Sequence, residues 1–404
     1  MAASRSIGRS FRSVWLSVMV SSAGDGMFLT AFPLLAAILT RDPVLIAGVT
    51  IASRLPWLVF SLFTGALADR MDRRRLMIGA DLIRFVIVGL LGAAILTDTV
   101  NIWMLYASAF LLGSCETLHV NAAQGLIPAI VKQEDLLEAN ARFASGQIVA
   151  AQFIGPPLGV VMFNASMSLP FLADAATFAG SAALVATVPN EHAVEKPTTK
   201  IFADIKEGIR YTIETTSLRR LTEILAVVNF FYFAANSLLV LYNEDLLGGG
   251  KATFTALSVG AASGTVASRF FLEKITQRLG TTRTLEVSLW AWAAATVGLA
   301  LATNPLTAIF SHVILGIGSG WWIALNTTLR QQITPTRMLG RMNAVSRTVT
   351  WGIVPFGALF GGVSARIFGL RGPFIISAVV MVSYAIFSRQ LLKPVREAVN
   401  NLQQ

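Results

Sequence analysis

The amino-acid sequence predicts an all-α integral membrane protein with twelve transmembrane helices in two pseudo-symmetric six-helix bundles. Of its 404 residues, 54% are hydrophobic and 13% are charged, whereas soluble domains carry about 25% charged residues. Apolar segments of about 20 residues, the length that crosses a bilayer as a helix, recur along the whole chain. The shorter alternating segments that are typical of a transmembrane barrel are not seen.

Twelve apolar segments are predicted as spans, and the polar segments between them are the loops. Six spans precede the longest polar segment and six follow it. In chain order the predicted spans are 13–38, 43–66, 76–97, 102–126, 140–163, 168–189, 219–242, 252–272, 284–303, 306–328, 342–364 and 372–392.

Three regions follow from this division: an N-terminal bundle at 1–189, a cytoplasmic linker at 190–218 and a C-terminal bundle at 219–404. Apolar residues recur at helical spacing in the linker, which predicts an amphipathic helix on the membrane surface. A plain tether between the two bundles is the alternative role. The apolar residues at this spacing are Phe202, Ile205, Ile209 and Ile213.

The positions of the basic residues predict the orientation of the chain in the membrane. With a cytoplasmic N-terminus, 26 of the 32 Lys and Arg residues lie at cytoplasmic loops or termini, and Arg54 and Arg84 lie within spans. The outer loops then hold only Arg41, Lys251, Arg366 and Arg371. We therefore expect a multi-pass protein of a bacterial plasma (inner) membrane with both termini in the cytoplasm. The net charge of +10 is interpreted as orientation and contact with anionic lipid, not as nucleic-acid binding.

An internal repeat relates the two halves of the chain. Asn140 and Asn343 lie 203 residues apart in similar Asn-Ala contexts, and so do Gly159 and Gly362. Duplication of a six-helix unit is the simplest explanation, with a two-fold axis along the membrane normal. A substrate is then expected between the halves, near the middle of the membrane.

Ionisable residues inside the predicted spans are the candidates for proton coupling, because charges at the centre of a bilayer are costly and usually functional. Asp25 and Arg54 lie at matching depths, which favours a buried ion pair and leaves Glu116 as the better proton carrier. A purely structural ion pair is the alternative. The candidates are Asp25, Arg54, Glu116, His119 and Asp174.

Few comparable charges fall in the second-half spans, and His312 there is interpreted as a packing residue. The second half is expected to offer an apolar, aromatic wall to the substrate. The alternative for each aromatic residue is a place in the core or against lipid. The candidates for this wall are Phe230, Phe233, Trp292, Trp321, Trp322 and Trp351.

The motifs of soluble enzymes are not found in the sequence. It has no phosphate-binding loop, no nucleophile elbow and no cluster of metal ligands; its one cysteine, Cys115, falls in an apolar segment. We therefore predict no enzymatic activity, no cofactor and no metal site. An integral-membrane enzyme remains a distant alternative.

The loop at 65–75 carries the most specific motif of the chain. Its sequence Gly-Ala-Leu-Ala-Asp-Arg-Met-Asp-Arg-Arg resembles the loop between the second and third helices of the major facilitator superfamily, with Asp72 in place of the usual Gly. The resemblance implies the major facilitator fold and a cytoplasmic latch that holds the two halves together in the outward-open state. A topology signal alone is the alternative. The latch residues are Gly65, Asp69, Arg70, Arg73 and Arg74.

A Gly-Pro-Pro-Leu-Gly element in the fifth predicted span resembles the antiporter motif of proton-coupled drug exporters in that superfamily. Prolines remove backbone donors and kink a helix, and glycines allow close helix packing. A structural kink alone is the alternative. The motif residues are Gly155, Pro156, Pro157 and Gly159.

Segments 121–128, 134–141 and 172–178 resemble the exporter branch that includes macrolide efflux and enterobactin export proteins. The resemblance implies a monomeric proton antiporter that exports a hydrophobic or amphipathic small molecule by alternating access. A uniporter or importer of the same fold, a siderophore exporter, and a transporter of lysolipid or lipid are the alternatives. The fourth-span arginine of the classical drug antiporters is replaced here, and Glu116 occupies the corresponding region.

Overall fold

The structure is a computed structural model that describes residues 8–68, 71–132, 135–189 and 201–403. About 89% of the model is helical, and the described residues contain no strand. The all-α prediction is confirmed.

The first half of the described chain contains seven α-helices, with a π-helical turn between the fifth and the sixth. They are α1 (Arg9–Leu39), α2 (Pro43–Ala68), α3 (Arg73–Leu96), α4 (Ile102–Ile130), α5 (Leu136–Ile148), the π-helical turn Val149–Ile154, α6 (Gly155–Ala165) and α7 (Leu169–Ala186).

The described residues from 201 onward form eleven further α-helices and a second π-helical turn. They are α8 (Ile201–Glu214), α9 (Thr216–Asn236), α10 (Leu239–Leu241), the π-helical turn Tyr242–Leu246, α11 (Lys251–Leu279), α12 (Thr281–Leu301), α13 (Pro305–Ile333), α14 (Thr336–Gly352), α15 (Val354–Phe368), α16 (Gly372–Ile386), α17 (Ser388–Leu391) and α18 (Lys393–Gln403).

Each predicted span coincides with one of these helices or with a consecutive pair. By length and hydropathy, the described residues contain eight helices able to cross a membrane, or nine if the bent pair of α9 with Leu239–Leu246 counts as one span. Twelve membrane spans therefore stay a prediction. Many large apolar side chains on these helices are exposed, such as Phe270 at 80% and Leu306 at 78%, as lipid-facing positions require.

The chain divides into two compact units. The first unit comprises Met1–Leu39 and Leu55–Thr198, and the second comprises Thr40–Arg54 and Thr199–Gln404. The beginning of α2 thus belongs to the second unit, where Arg41 pairs with Glu244 at 2.6 Å. Assignment of this segment to the second unit was not predicted from the sequence.

The repeat is visible in the helix ends. Both α4 and α13 have 29 residues, and their first residues, Ile102 and Pro305, are 203 positions apart in the sequence. Each begins after an asparagine whose side chain accepts backbone N–H groups: Asn101 from Trp103 and Met104, and Asn304 from Thr307. Such a side chain satisfies donors that have no partner within the helix. Two helices of equal length, with equivalent asparagine caps and 203 residues apart, support the predicted duplication.

The apolar core of the second unit packs α9, α12, α13, α16 and α18 together. Trp322 and Leu289 are fully buried in it, and the rings of Trp292 and Trp322 lie 5.2 Å apart. The core of the first unit contains fully buried Val14 and Met77. Burial of this kind is the main apolar contribution to the stability of each unit.

The predicted amphipathic linker helix corresponds to α8. Its Gly208 packs against the backbone of Arg341 on α14, and the Tyr211 hydroxyl donates to the Ile333 carbonyl at 3.4 Å. Ile209 and Ile213 are exposed. The side chains of Phe202 and Ile205 lie outside the described residues, so contact of this helix with lipid stays a prediction.

Candidate functional site

Charged side chains from four helices of the first unit meet in one place, which we call the charge cluster. The helices α1, α3, α4 and α7 bring together residues that lie far apart in the sequence. The cluster consists of Asp25, Asp81, Arg84, Glu116, His119 and Asp174. Asp81, Arg84, His119 and Asp174 are buried, while Asp25 and Glu116 are half-buried.

Asp81 on α3 lies at the centre of this cluster. The Ser181 hydroxyl of α7 donates to its Oδ2 at 2.6 Å. Its Oδ1 lies 3.5 Å from His119 Nε2 and 3.9 Å from Arg84 Nη1. Asp81 therefore joins three helices and holds the one guanidinium of the cluster.

Arg84 is the cation that the carboxylates share. Its electrostatic neighbours are Asp25, Glu116 and Asp81, and its guanidinium carbon lies 5.0 Å from the centre of the Phe178 ring. Among the described residues, Arg84 Nε, Asp81 Oδ1 and His119 Nε2 make no hydrogen bond. Buried polar atoms without a protein partner are usually satisfied by water or a ligand.

Asp174 on α7 and Asp25 on α1 are close enough to repel each other when both are ionised. Gly24 allows this approach, because a Cβ there would overlap Asp174 Oδ1 and the Thr177 hydroxyl. Thr177 donates to Asp174 Oδ1 at 3.2 Å. Two carboxylates that share a buried place favour a proton on one of them.

Glu116 on α4 is the second half-buried carboxylate of the cluster. The indole N–H of Trp57 is the donor that reaches its Oε2, at 3.5 Å. Cys115, the neighbouring residue, is also half-buried and has Arg84 and Asp81 as electrostatic neighbours. The chain has no other cysteine.

The cluster carries more negative than positive charge. Among the described residues it holds four carboxylates and one guanidinium, with a histidine that is neutral or positive. Ionisation of every carboxylate would leave a large net charge away from water, which is costly. Protons are the ligands that can relieve that charge, so the arrangement is suited to loading and releasing them.

Arg54 lies in the second unit, where its guanidinium carbon is 5.4 Å from the centre of the Trp351 ring. The cation that the first unit itself supplies to Asp25 is Arg84. The Asp25–Arg54 ion pair therefore stays a prediction. Asp81 and the pairing role of Arg84 were missed by sequence reasoning, although an Asp and an Arg three residues apart in one span were a signal for them.

The loop motif is described in part. Gly65 lies in α2, Asp69 and Arg70 lie outside the described residues, and Arg73 begins α3. Arg74 donates to the carbonyls of Val185 and Ala186, at 3.3 and 2.5 Å. It thus binds the last turn of α7, where a helix carries partial negative charge.

Asp72, the departure from the superfamily pattern, is the N-cap of α3. Its φ is −59°, and its side chain accepts the backbone N–H of Arg75 at 3.2 Å. A negative φ does not require glycine. The substitution is therefore accommodated by a capped helix start.

The proline element follows the π-helical turn at 149–154. Pro156 and Pro157 have no N–H to donate to the preceding turn, which is where the regular α-helical pattern is lost. A Cβ on Gly155 would lie 2.6 Å from the Ala23 carbonyl oxygen, and one on Gly159 would lie 2.8 Å from that of Met27. Both glycines therefore let this segment pack directly on α1.

The second unit has an equivalent crossing between α15 and α9. Gly357 packs on the backbone of Phe230, and Gly361 packs on that of Ala234. Phe230 lies 203 residues after Met27, the partner of Gly159, so by this contact the counterpart of Gly159 is Gly357. Gly362, which the sequence repeat pairs with Gly159, packs instead on the beginning of α2.

The predicted aromatic wall divides into two groups. Trp292, Trp321 and Trp322 are buried. The indole N–H of Trp292 donates to the Ser319 hydroxyl, and that of Trp321 donates to the Ser268 carbonyl. These three pack the interior of the second unit, so they are corrected to core residues. Phe230, Phe233 and Trp351 are partly exposed, and Phe233 contacts Trp351.

The described residues contain no group of three or more His, Cys, Asp or Glu side chains arranged to hold a metal ion.

A family model described as transmembrane secretion effector matches residues 6–403. The chain belongs to this transmembrane secretion effector family. It is a multi-pass transporter of the major facilitator superfamily and not an enzyme.

Relatives of this family member are efflux proteins. Macrolide efflux protein A of Streptococcus pyogenes is 20% identical over 384 residues, which cover 93% of this chain and 94% of the relative. Multidrug efflux pump Tap of Mycolicibacterium fortuitum is 25% identical over 388 residues, which cover 91% of this chain and 92% of the relative. Both relatives are named for efflux.

A solved structure shows the same fold. A point mutant of the nucleoside transporter NupG superposes with a TM-score of 0.76, covering 95% of this chain and 100% of that one. Its sequence identity of 11% limits the likeness to the fold. The predicted major facilitator fold is confirmed.

Proposed function

We propose that this secretion effector exports a hydrophobic or amphipathic small molecule by proton antiport and alternating access. The observation that carries the proposal is the charge cluster, in which four carboxylates share Arg84 inside the first unit. The names of the efflux relatives support the direction of transport and a substrate of this class.

We propose different tasks for the carboxylates of the cluster. Asp81 and Asp174 are buried and hydrogen-bonded by Ser181 and Thr177, so they position Arg84 and the helices. Asp25 and Glu116 are half-buried, which gives water and protons a route to them. Protonation from outside relieves the excess negative charge and permits the return to the inward-open state.

The second unit contributes the aromatic surface. Phe230, Phe233 and Trp351 remain the candidates, because their rings are partly exposed. Arg54 over Trp351 adds a cation at this surface. We further propose that the transporter acts as a monomer in the plasma membrane with both termini in the cytoplasm, as the distribution of basic residues indicates.

The proposal is tested by transport into proteoliposomes under an imposed pH gradient, with a macrolide and a fluorescent hydrophobic cation as probes. Asp25→Asn and Glu116→Gln are each expected to reduce proton-driven flux at least about a hundredfold, the lower end of the usual range for a lost proton-transfer group. Glu397→Gln is the matched control, since Glu397 is exposed on α18, and it keeps wild-type flux.

Unchanged proton-driven flux in both cluster variants would contradict this coupling scheme. Flux that ignores the pH gradient in the wild type would identify a uniporter or facilitator instead. Movement of a fluorescent lysolipid, with no movement of either drug probe, would identify a lipid transporter.

A further inference from the structure

We propose that the second unit contains a binding site for an oxyanion group, a carboxylate or a phosphate, centred on Arg330. Arg330 lies on α13, three residues before the helix ends at Ile333, and only 9% of it is exposed. Its Nη2 donates to the Thr222 hydroxyl of α9 at 3.3 Å. Thr222 in turn lies 3.1 Å from the Ser346 hydroxyl of α14.

No carboxylate offsets the charge of Arg330 among the described residues. Glu223, next to Thr222 in sequence, is an exposed residue that pairs with Arg219 and Arg220. Arg84, by contrast, has three carboxylates as electrostatic neighbours. Each unit therefore buries an arginine, and among the described residues the side-chain partner of Arg330 is a single hydroxyl, that of Thr222.

The face of α13 around Arg330 carries further polar atoms without a protein partner. Trp322 Nε1, Asn326 Oδ1, Arg330 Nε and Thr334 Oγ1 are buried and make no hydrogen bond within the described part of the chain. They recur every four residues, so they follow one another along the helix. Trp322 lies in the apolar core, whereas Asn326, Arg330 and Thr334 lie beyond it toward the end of α13. Buried polar atoms of this kind are few in a folded protein, which indicates that the end of this face meets water or a ligand.

The energetics favour an anion at this place. A guanidinium stays charged at any relevant pH, so deprotonation cannot remove the burial cost. That cost is large for an unpaired ion, and the partial negative charge at the end of a helix offsets only a small part of it. An oxyanion can accept two parallel bonds from the guanidinium fork, while the Thr222 hydroxyl donates to the Leu218 carbonyl at 2.9 Å and accepts from Arg330, which positions the guanidinium.

The oxyanion has two possible sources. One is the polar end of the exported molecule, which would narrow the substrate to anionic or zwitterionic amphipaths, and this version rests on the proposed function. The other is the phosphate of a lipid headgroup. Both sources use the same chemistry at Arg330, and the experiment separates them.

The test measures thermal unfolding of the purified full-length protein in nanodiscs of neutral phosphatidylcholine. Two probes are compared at equal ionic strength with chloride: inorganic phosphate in solution, and phosphatidic acid in the disc. The variants are Arg330→Gln and Arg278→Gln, the second being the matched control because Arg278 is exposed at the end of α11 in the same unit.

Wild type and Arg278→Gln are expected to be stabilised by at least one probe. Arg330→Gln is expected to bind that probe at least about tenfold more weakly, since loss of one partner of a buried charge pair costs about 2 kcal/mol or more. A response to inorganic phosphate assigns a soluble anion, and a response to phosphatidic acid alone assigns a lipid. No response to either probe in the wild type, or an equal response in Arg330→Gln, overturns the proposal.

Two further variants keep the test independent of folding and of transport. Thr222→Val removes the hydroxyl partner without a charge change, and we expect a weaker phosphate or lipid response from it even if Arg330→Gln does not fold. Asp25→Asn and Glu116→Gln are expected to keep the full response. A result that contradicts proton coupling would therefore not contradict the anion site, and a result that contradicts the anion site would not contradict proton coupling.

Discussion

At the scale of single residues, Asp81 has the largest structural role in the first unit. Its carboxylate accepts the hydroxyl of Ser181 and lies beside both His119 and Arg84. It is fully buried, and Arg84 is the guanidinium beside it. Removal of one member of a buried ion pair is costly, although Arg84 keeps Asp25 and Glu116 as electrostatic neighbours.

Asp81→Asn is therefore expected to lower the free energy of unfolding by about 3 kcal/mol, the lower end of the range for a broken buried pair. Ser181→Ala removes one hydrogen bond to the same carboxylate and is expected to cost about 1–2 kcal/mol. Unfolding by sodium dodecyl sulfate in mixed micelles measures both. Wild-type stability of Asp81→Asn would mean that the other carboxylates balance Arg84 without it.

Sequence reasoning identified four of the six cluster residues as candidates for proton coupling and missed the residue that organises them. Asp81 lies only five residues inside the predicted span at 76–97, and its partners come from α4 and α7. No spacing along one helix reveals contacts between helices. Depth alone favoured Arg54 as the partner of Asp25, whereas the first unit places Arg84 beside it.

At the scale of helices, the crossing of α1 with the π-helical turn and α6 decides how the first unit packs. Gly26, Gly155 and Gly159 all lie where a Cβ would overlap a neighbour at this crossing. The sequence predicted this close packing from the glycines and prolines. The π-helical turn was not predicted, because it depends on which carbonyls find other donors.

Gly155→Ala is expected to destabilise the protein by about 1–3 kcal/mol, since its Cβ would meet backbone that cannot move without shifting α1. Gly89→Ala on α3 is the matched control, because the space around Gly89 is open within 4 Å. There the change is expected to stabilise by about 0.5–1 kcal/mol through helix propensity. Thermal unfolding in detergent compares them, and equal melting temperatures would contradict the crossing.

At the scale of the whole molecule, composition and the 203-residue repeat predicted the fold class and the two-part organisation. Helices α4 and α13 show the repeat in their lengths and asparagine caps. The core tryptophans were harder to assign, because apolar aromatic residues suit a cavity wall and a protein interior equally well. Their burial follows from packing between α12, α13 and α9, which composition does not encode.

The proposed cytoplasmic latch also belongs to this scale, since it concerns the exchange between conformations. Asp69→Asn is expected to favour the inward-open state and to raise deuterium uptake at the cytoplasmic helix ends. Asp98→Asn is the control, because it makes the same change in a loop that is predicted on the outer side. Asp98 has a positive φ of 52°, a conformation that Asn tolerates. Equal uptake in Asp69→Asn and wild type would count against the latch.

The chain supplies its own reporter for such experiments. Cys115 is the single thiol of the protein, half-buried one residue from Glu116 and near Arg84. Intact-mass spectrometry therefore measures the modification of one known atom, Cys115 Sγ, in the unaltered sequence, and no cysteine-free variant is needed as a background. The rate of its alkylation, followed as substrate or pH is varied, records directly how often the interior around the carboxylates opens to reagent.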